Sequence, residues 1–583
     1  MKLSYIKMIL LFSGLLTIAS CKKKLDINYD PDRIPDSNSP IAQLLTAAQV
    51  NLGFEGGSDL FRYTTLIMQH MSGGASQANQ TWDYYRYNIT GSDQNNVWGS
   101  IHAQTLSDLQ LIIKQGAASP YYSGIAKILK AYEYSLVVDV WGDVPYTEAQ
   151  FLTANTQPHY DDDAVIYPKL ISLLTEAITD LNATSSVLTP GTNSVIYTNT
   201  TFATARAMWI KLANTLKLRL LLHYSKKDPA FTVAQITALV NTPGITFFAS
   251  NTDNLQVNFY NVSGQRNPIS AFEVSRPNYL FADRSMVNLM LSKTDPRLPF
   301  YFAIFPFSFT PFSVSTSAAS SGNTLTFAYT NTIISGMTVT GGGIGPNTIV
   351  KSVAHTPATL PTTTTITLND DETVGYAIPS IPAATAITFQ PAYRGVSAAK
   401  PPIAPNNNYS RIHTFLRGAI TAGVAAPAPY TGAVQPFTYS GDRPQRMISF
   451  AEYNFIRAEA ALMGAPGTAQ TFFTDGITAS MQEVGATPAE ITAYLTTNGT
   501  LIGTNAQKLR QIIEEKYVAS FGVSVEPWTD WRRTGYPIIS APANAVLGTI
   551  PRTLFYPQTE IDLNPNNPGQ KDAGLQGRVF WDN

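Results

Sequence analysis

The sequence predicts a mainly α protein built of paired helices, with a small β-rich insertion and long irregular loops. Three observations lead there. Apolar residues recur at helical spacing in two blocks, residues 101–224 and 448–521. Turn signals such as Ala118-Ser119-Pro120 and Gly464-Ala465-Pro466-Gly467 split those blocks into hairpins. Between them, residues 308–391 turn Thr/Ser/Gly-rich and nearly uncharged, with short β-type runs. No clean 34-residue repeat is visible, so the helix pairing is read from hairpins and not from a repeat signature.

The totals narrow the function. At 583 residues the chain exceeds the size at which one core stops growing. Apolar residues reach 44%, which makes it globular, while charged residues are only 14% and aromatics 11%. A net charge of −1 gives nucleic acid no basic surface to bind. The single cysteine rules out an internal disulfide, so burial and hydrogen bonds must hold the fold. Abundant Asn, Thr, Ser, Tyr and Phe suit a neutral ligand better than an ionic one.

In chain order, Lys2 and Lys7 precede an apolar run, Met8–Phe12 continued by Leu15, Leu16 and Ile18, which ends at Ala19-Ser20-Cys21. A basic start, about a dozen apolar residues and small residues before a cut describe an export signal. A membrane-spanning helix needs about 20 apolar residues, and Lys22-Lys23-Lys24 stops this run short. Ile18-Ala19-Ser20-Cys21 is also similar to a bacterial lipobox, so residues 1–20 are expected to be a lipoprotein signal peptide and Cys21 the lipidated residue. The alternative is a plain secretory signal ending beside a cysteine. Residues 21–40, polar and proline-containing, read as an extended leader.

IAQLLTAAQVNL at 41–52 is helical in pattern, with Leu44, Leu45 and Ala48 on one side. Residues 53–100 read as a loop-rich patch of aromatics and amides: Gly73-Gly74, then Trp82, Tyr84, Tyr85, Tyr87 and Trp98 among Asn79, Gln80, Asn88 and Gln94–Asn96. Helices are predicted over His102–Gln115, Ser123–Trp141, Ala164–Asn182 and Thr204–Tyr224. With the last goes a stripe, Phe202, Trp209, Leu212, Leu216 and Leu220, facing a core. Residues 241–305 mix short apolar runs with turns. The β-type runs are Leu325–Tyr329, Met337–Val339, Ile349–Val353, Thr364–Leu368 and Ala386–Phe389, a small sandwich-like unit. The glycine run at 341–345 between two of them lacks the lysine and the helix of a nucleotide loop. Helices return at Ile448–Met463, Thr468–Glu483, Pro488–Thr496 and Asn505–Phe521, and the tail from Trp528 reads as ordered loops.

Six blocks in one order resemble the SusD/RagB family of outer-membrane nutrient-binding lipoproteins. They are the lipobox with LDINYDPDRIPDSNSPIAQLLTAAQ, VVDVWGDVPYTEA at 137–149, DPRLPFYF at 295–302, ISFAEYNFIRAEAAL at 448–462, EEKYVASFGVSVEPWTDWRRTGYP at 514–537 and IPRTLFYPQTEIDLN at 550–564. The resemblance implies a tetratricopeptide-like scaffold of four helix pairs bearing long ligand-binding loops. It divides the chain into a first α part at 41–307, a β-rich insertion at 308–391 outside the resemblance, and a second α part at 392–583. It also implies a SusC-type TonB-dependent outer-membrane transporter as partner, an oligosaccharide or peptide as ligand, a surface-exposed lipid anchor and no catalysis. One departure is that Lys22-Lys23-Lys24 follow the cysteine where surface lipoproteins of such bacteria often carry acids, so outward orientation follows from the family alone.

A sugar site needs flat aromatic faces for ring stacking, flanked by amides, carboxylates or arginine for hydroxyls. The candidate contacts are therefore Trp82, Tyr84, Tyr85 and Asn88, with Trp98, then Arg276, Asn278 and Tyr279, then Tyr393, Asn408 and Tyr409. For each, the competing reading is a ring or amide that ties a loop to the scaffold. Asp143 and the run Trp528, Asp530, Trp531, Arg532, Arg533 read as structural, and Asp161-Asp162-Asp163 as a helix cap. Six scattered histidines without HExxH make zinc improbable, no cofactor is expected besides the lipid, and Asn369-Asp370-Asp371-Glu372 matches no calcium loop. No G-x-S-x-G elbow is present. Paired carboxylates for glycoside hydrolysis are a matter of three dimensions, so a lipid-anchored glycosidase stands as the enzymatic alternative, with the β unit as its binding module.

Overall fold

Helix pairing in this protein follows from where its apolar stripes fall. In the computed structural model the described residues are 40–74, 80–151, 154–198, 201–305, 310–345, 348–369, 376–398, 409–422 and 437–583. Cys21, Asn408 and the acids 370–372 lie outside them.

The first helices are α1 (Ile41–Gly57), α2 (Asp59–Ile67), α3 (Gln80–Tyr85) and α4 (Gly91–Gly99), which passes through a π-helical turn at Ser100–Thr105 into α5 (Leu106–Gln115). A short strand, β1 (Met71–Gly73), lies between α2 and α3. Residues 53–100 are thus largely helical where loops were expected. Two local effects explain this. Helix α1 runs through Gly53 and Gly56 to Gly57, where a Cβ would lie 2.5 Å from Pro268 Cγ, so these glycines serve close packing inside a helix. At α4, Thr90 and Asp93 form a reciprocal capping box that starts a helix among amides of weak propensity.

The central ladder is α6 (Pro120–Trp141), α7 (Asp163–Leu181), α8 (Phe202–His223) and α9 (Pro229–Val240), each packed on the one before. Helix α6 is buried over most of its circumference, with Lys130, Glu133 and Asp139 buried among its apolar residues. It stops at Gly142, whose φ of +77° suits glycine. Asp162 caps α7 by accepting from the Ala164 N–H, as expected. Along α8, Trp209, Leu212, Leu216 and Leu220 are buried. Next come β2 (Leu255–Val257), α10 (Pro268–Ser275), β3 (Leu280–Ala282), α11 (Arg284–Ser292) and α12 (Leu298–Tyr301).

Six short strands follow: β4 (Phe312–Ser315), β5 (Thr324–Ala328), β6 (Thr338–Thr340), β7 (Ile349–Thr356), β8 (Thr363–Asn369) and β9 (Ala386–Gln390). They form one antiparallel sheet in the order β4-β9-β6-β7-β8-β5. Its two edges meet, because Thr316 bridges Phe327 and the Ser317 N–H donates to the Thr326 carbonyl at 2.8 Å. The unit is therefore one sheet curled shut around Phe327, Val339, Ile366 and Phe389, and not two stacked sheets. Strand β8 alternates buried and half-buried positions along its length, so one of its faces turns to the core, which Ile333, Ile334, Met337 and Ile381 complete from outside the strands.

The chain then gives α13 (Thr414–Arg417), β10 (Ile420–Ala422), β11 (Thr438–Tyr439), β12 (Gln445–Ile448), α14 (Phe450–Met463), α15 (Ala469–Val484), α16 (Pro488–Asn498), α17 (Asn505–Ala519), α18 (Glu526–Thr534) and α19 (Gln558–Leu563). Helix α14 packs on α15 and α17 and also on α8, joining the two helical blocks. Among the described residues no helix is long and apolar enough to cross a membrane.

Where the blocks meet, charge is buried and paired. Arg219 of α8 binds Glu452 of α14 at 2.6 and 2.7 Å. Lys516 of α17 binds Glu526 at 2.6 Å and Asp530 at 2.8 Å, both on α18. Arg533 binds Asp530 at 2.8 Å and Glu459 at 2.8 Å. Asp139 of α6 accepts from Trp581 Nε1 at 2.9 Å, tying in the C-terminus. The run at 528–533 is thus structural, as the sequence suggested. Its Trp528 ring also carries the Arg532 guanidinium at 4.0 Å. Truncating one member leaves a buried charge alone, so Arg533→Met is expected to cost about 3–5 kcal/mol, read by denaturant unfolding.

Candidate functional site

Strands β1 and β3 pair antiparallel, Met71 opposite Ala282 and Gly73 opposite Leu280. Around this ribbon the aromatic and amide segments converge. The Gly74 N–H and the Thr81 hydroxyl both donate to the Tyr279 carbonyl, at 2.9 and 2.6 Å. Gly73-Gly74 makes this approach possible. A Cβ on Gly73 would collide with the Thr81 carbonyl, and one on Gly74 with the Asn278 carbonyl. On the other side of β3, the Ala282 N–H donates to the Ser410 carbonyl at 2.9 Å, and Ala282 accepts from the Val396 N–H at 2.9 Å. The described residues 73–74, 80–85, 276–283, 394–398 and 409–411 therefore lie together around the ribbon.

The candidates divide by burial. Trp82 is half-buried, stacked on Tyr85 at 6.1 Å with the Arg86 guanidinium 5.7 Å from its ring. Asn88 is exposed and donates to Asp83 at 3.3 Å. Arg276 is exposed at the end of α10, 5.6 Å from the Phe272 ring. Half-buried Tyr279 meets the same ring edge-on at 5.9 Å. Asn278 adopts φ of +68°, a region in which asparagine is several-fold enriched, and its Oδ1 accepts from Arg411 at 2.5 Å. These five lie where an incoming ligand can reach them.

Tyr84, Tyr85, Trp98 and Tyr409 do not offer a face, because all four are buried. The Tyr84 hydroxyl donates to Asp93 and the Tyr85 hydroxyl to Asp283, each at 3.0 Å. Burial pushes the Asp283 carboxyl up to about 7, against hydrogen bonds from Ser285 and Tyr85. Trp98 sits edge-on to Trp141 at 5.2 Å and 4.1 Å from the His102 ring. Tyr409 packs edge-on to Phe281 at 5.8 Å beneath the Arg394 guanidinium, 5.0 Å away. These four rings tie the loops to the scaffold. Tyr393 lies elsewhere, in a cavity of about 590 Å³ with Lys293, Asp295, Tyr494 and Asn498.

Sequence reasoning passed over Arg411, whose guanidinium lies 3.8 Å over Phe281 while it holds Asn278. It also missed Tyr260, 57% exposed on the turn before Arg266. An isolated tyrosine or arginine in irregular sequence gives no pattern to find. One cluster of three acids, Asp143, Asp162 and Asp163, occurs among the described residues. Its carboxylates accept backbone N–H groups, Asp143 from Asp163 at 2.9 Å and Asp163 from Phe580 at 2.9 Å. They act as caps.

A helix-pair platform carrying one convergent loop surface of rings, amides and guanidinium groups describes a binding protein. The chain belongs to the SusD-like family described as "starch-binding associating with outer membrane", whose model matches residues 32–312 and 416–557. Among solved structures it is similar to a chitin-binding protein at 22% identity, with TM-score 0.62, covering 93% of this chain and all of that one. A SusD homologue from Bacteroides fragilis matches at 19% identity and TM-score 0.60 over 93% and 99% of the two chains. A chitin-binding SusD homologue from Flavobacterium johnsoniae matches at 18% identity and TM-score 0.59 over 93% and 97%. No curated protein matches the chain.

The ribbon is anchored from below by His70, next to β1. Its Nε2–H donates to the Tyr517 carbonyl of α17 at 2.9 Å, and complete burial holds the ring neutral with a pKa of about 3. The unfolded chain then binds a proton that the folded one refuses. Stability is therefore whole above the unfolded pKa near 6.5 and falls as pH drops from there toward 3. The slope from this group grows from about a quarter of its full value at pH 7 to nearly the full value of about 1.4 kcal/mol per pH unit at pH 5. Unfolding titrations of wild type and His70→Gln between pH 7 and 5 should differ by that rising slope.

Proposed function

We propose that this protein is a non-catalytic lipoprotein, tethered to the outer membrane through lipid on Cys21, that binds an oligosaccharide and delivers it to a SusC-type TonB-dependent transporter. The observation that carries this reading is that Trp82, Asn278 and Tyr279 flank the β1–β3 ribbon of a SusD-like scaffold, where the Thr81 hydroxyl binds the Tyr279 carbonyl, with exposed Asn88 and Arg276 on the adjoining segments. A flat indole beside amides and guanidinium groups fits a sugar, whose rings have apolar faces and whose hydroxyls need donors and acceptors. Chitin binding in two structurally similar proteins supports a glycan over a peptide. The hand-over step needs no bond chemistry in the lid itself. The inferred lipid on Cys21 would hold the platform beside its transporter, with the leader at 22–40 as tether.

Incubation with a glycan panel tests this. Depletion of a glycan without new reducing ends is expected, whereas cleavage products would make the protein an enzyme and retention of peptides alone would make it a peptide carrier. Trp82→Ala is expected to weaken glycan binding more than tenfold with nearly unchanged thermal stability. Loss of folding without a specific binding defect would assign Trp82 to packing.

A further inference from the structure

Glu55, near the end of α1, and Glu133, in the middle of α6, are buried together where these helices pack, at 5% and 1% exposure. The Ser100 hydroxyl donates to Glu55 Oε1 at 2.6 Å and the Thr105 hydroxyl to the same oxygen at 2.8 Å. The π-helical turn at Ser100–Thr105 makes this possible. On an α-helix, residues five apart point about 140° away from each other, whereas an i→i+5 turn brings them to one side. The other three oxygens, Glu55 Oε2 and both of Glu133, are buried and receive no hydrogen bond. The two carboxyls lie within hydrogen-bonding reach of each other. Burial pushes both up from the usual carboxylate range, and the Glu55 charge adds to the rise at Glu133.

No counter-charge reaches this pair. Lys130, one turn earlier on α6, donates to Gln110 Oε1 at 2.7 Å and lies 5.4 Å from the Tyr146 ring, so its ammonium is turned elsewhere. Among the described residues no other ammonium or guanidinium group acts on Glu55 or Glu133. The buried glutamates 452, 459, 515 and 526, by contrast, each meet an arginine or a lysine. A buried carboxylate is neutralised by a partner, a proton or a metal. One proton held between the two carboxyls joins two of the three bare oxygens, leaving the third without a partner and one negative charge in place. A divalent cation contacts all three and balances both charges. The donors are all oxygen, which selects a hard ion. Calcium takes six to eight oxygens in irregular geometry, whereas magnesium demands an octahedron and keeps several waters. Oxygens closed to solvent therefore favour calcium.

We infer that Glu55 and Glu133, with the Ser100 and Thr105 hydroxyls beside them, form a calcium site that ties α1, α6 and the π-helical turn together. The site goes beyond the glycan-binding reading and does not depend on it. It adds a metal where the sequence predicts no cofactor besides the lipid.

Metal analysis of the full chain, purified without chelator, is expected to find one calcium per molecule. After its removal with EGTA, calcium restored to about a hundred times its dissociation constant should raise the melting temperature by about 2 °C or more, and magnesium at the same concentration should do less. Glu133→Gln keeps the shape of the side chain and can donate to Glu55, so it is expected to fold, to lose the bound calcium and to lose the response. Asp162→Asn, in the separate group of Asp143, Asp162 and Asp163, should keep both. If Glu133→Gln does not fold, Glu55→Gln, whose amide oxygen still accepts from Ser100 and Thr105, takes its place. Absence of calcium from the wild type, or a melting temperature indifferent to it, would overturn the site and leave the two acids sharing a proton. A response unchanged in the glutamine variant, or abolished by Asp162→Asn instead, would overturn it as well.

Discussion

Three buried cations, Arg219, Lys516 and Arg533, set the terms for the rest of the fold. Each reaches across to a carboxylate on another helix: Arg219 to Glu452, Lys516 to Glu526 and Asp530, Arg533 to Glu459. Helix α8 belongs to the first part of the chain, α14, α17 and α18 to the second, and the β-rich unit separates them in sequence. Apolar contact alone is non-directional and tolerates sliding. Paired buried charges do not, since a shift of an ångström or two strands an ion in a medium that cannot solvate it. The network thus fixes register where hydrophobic packing supplies most of the energy. Burial raises the Glu452 carboxyl while Lys516, Arg219 and His223 hold Glu526 well below the usual range, so the carboxylates share the positive charge unequally.

From that junction the constraint passes to the binding surface. Tyr517, one residue beyond Lys516, accepts from His70 through its carbonyl and donates to the Met68 carbonyl through its hydroxyl at 2.8 Å. His70 leads into β1, β1 pairs with β3, and β3 carries the Asn278–Tyr279 turn at its start. The buried tyrosines 84 and 85 fasten α3 to Asp93 and Asp283. Exposed and half-buried groups such as Trp82, Asn88 and Tyr279 are therefore presented by elements with little freedom, which keeps the entropic cost of binding low.

The scaffold was readable because helices announce themselves. The stripe Trp209, Leu212, Leu216, Leu220 and the turn at Gly464–Gly467 led directly to observed helices and their boundaries. Residues 59–99 were harder. Their helices are short and amide-rich, and caps such as Thr90–Asp93 decide them more than periodicity does. The β-rich unit was recognisable as strands, yet closure through a single Thr316–Phe327 bridge leaves no trace in a sequence pattern. For the surface, the composition of 79–98 singled out these rings but could not sort half-buried Trp82 from the buried Tyr84 and Tyr85. All three are aromatic, and only the acids beneath them, Asp93 and Asp283, decide which rings turn inward.

If the buried charges join both parts of the chain into one cooperative body, native-state hydrogen exchange should reveal it most directly. Backbone amides in α8, α14, α17 and α18 are predicted to exchange through a single opening whose free energy equals that of global unfolding. Exchange of α8 at a markedly lower free energy than α14, α17 and α18 would show that the two parts unfold separately and would contradict the account.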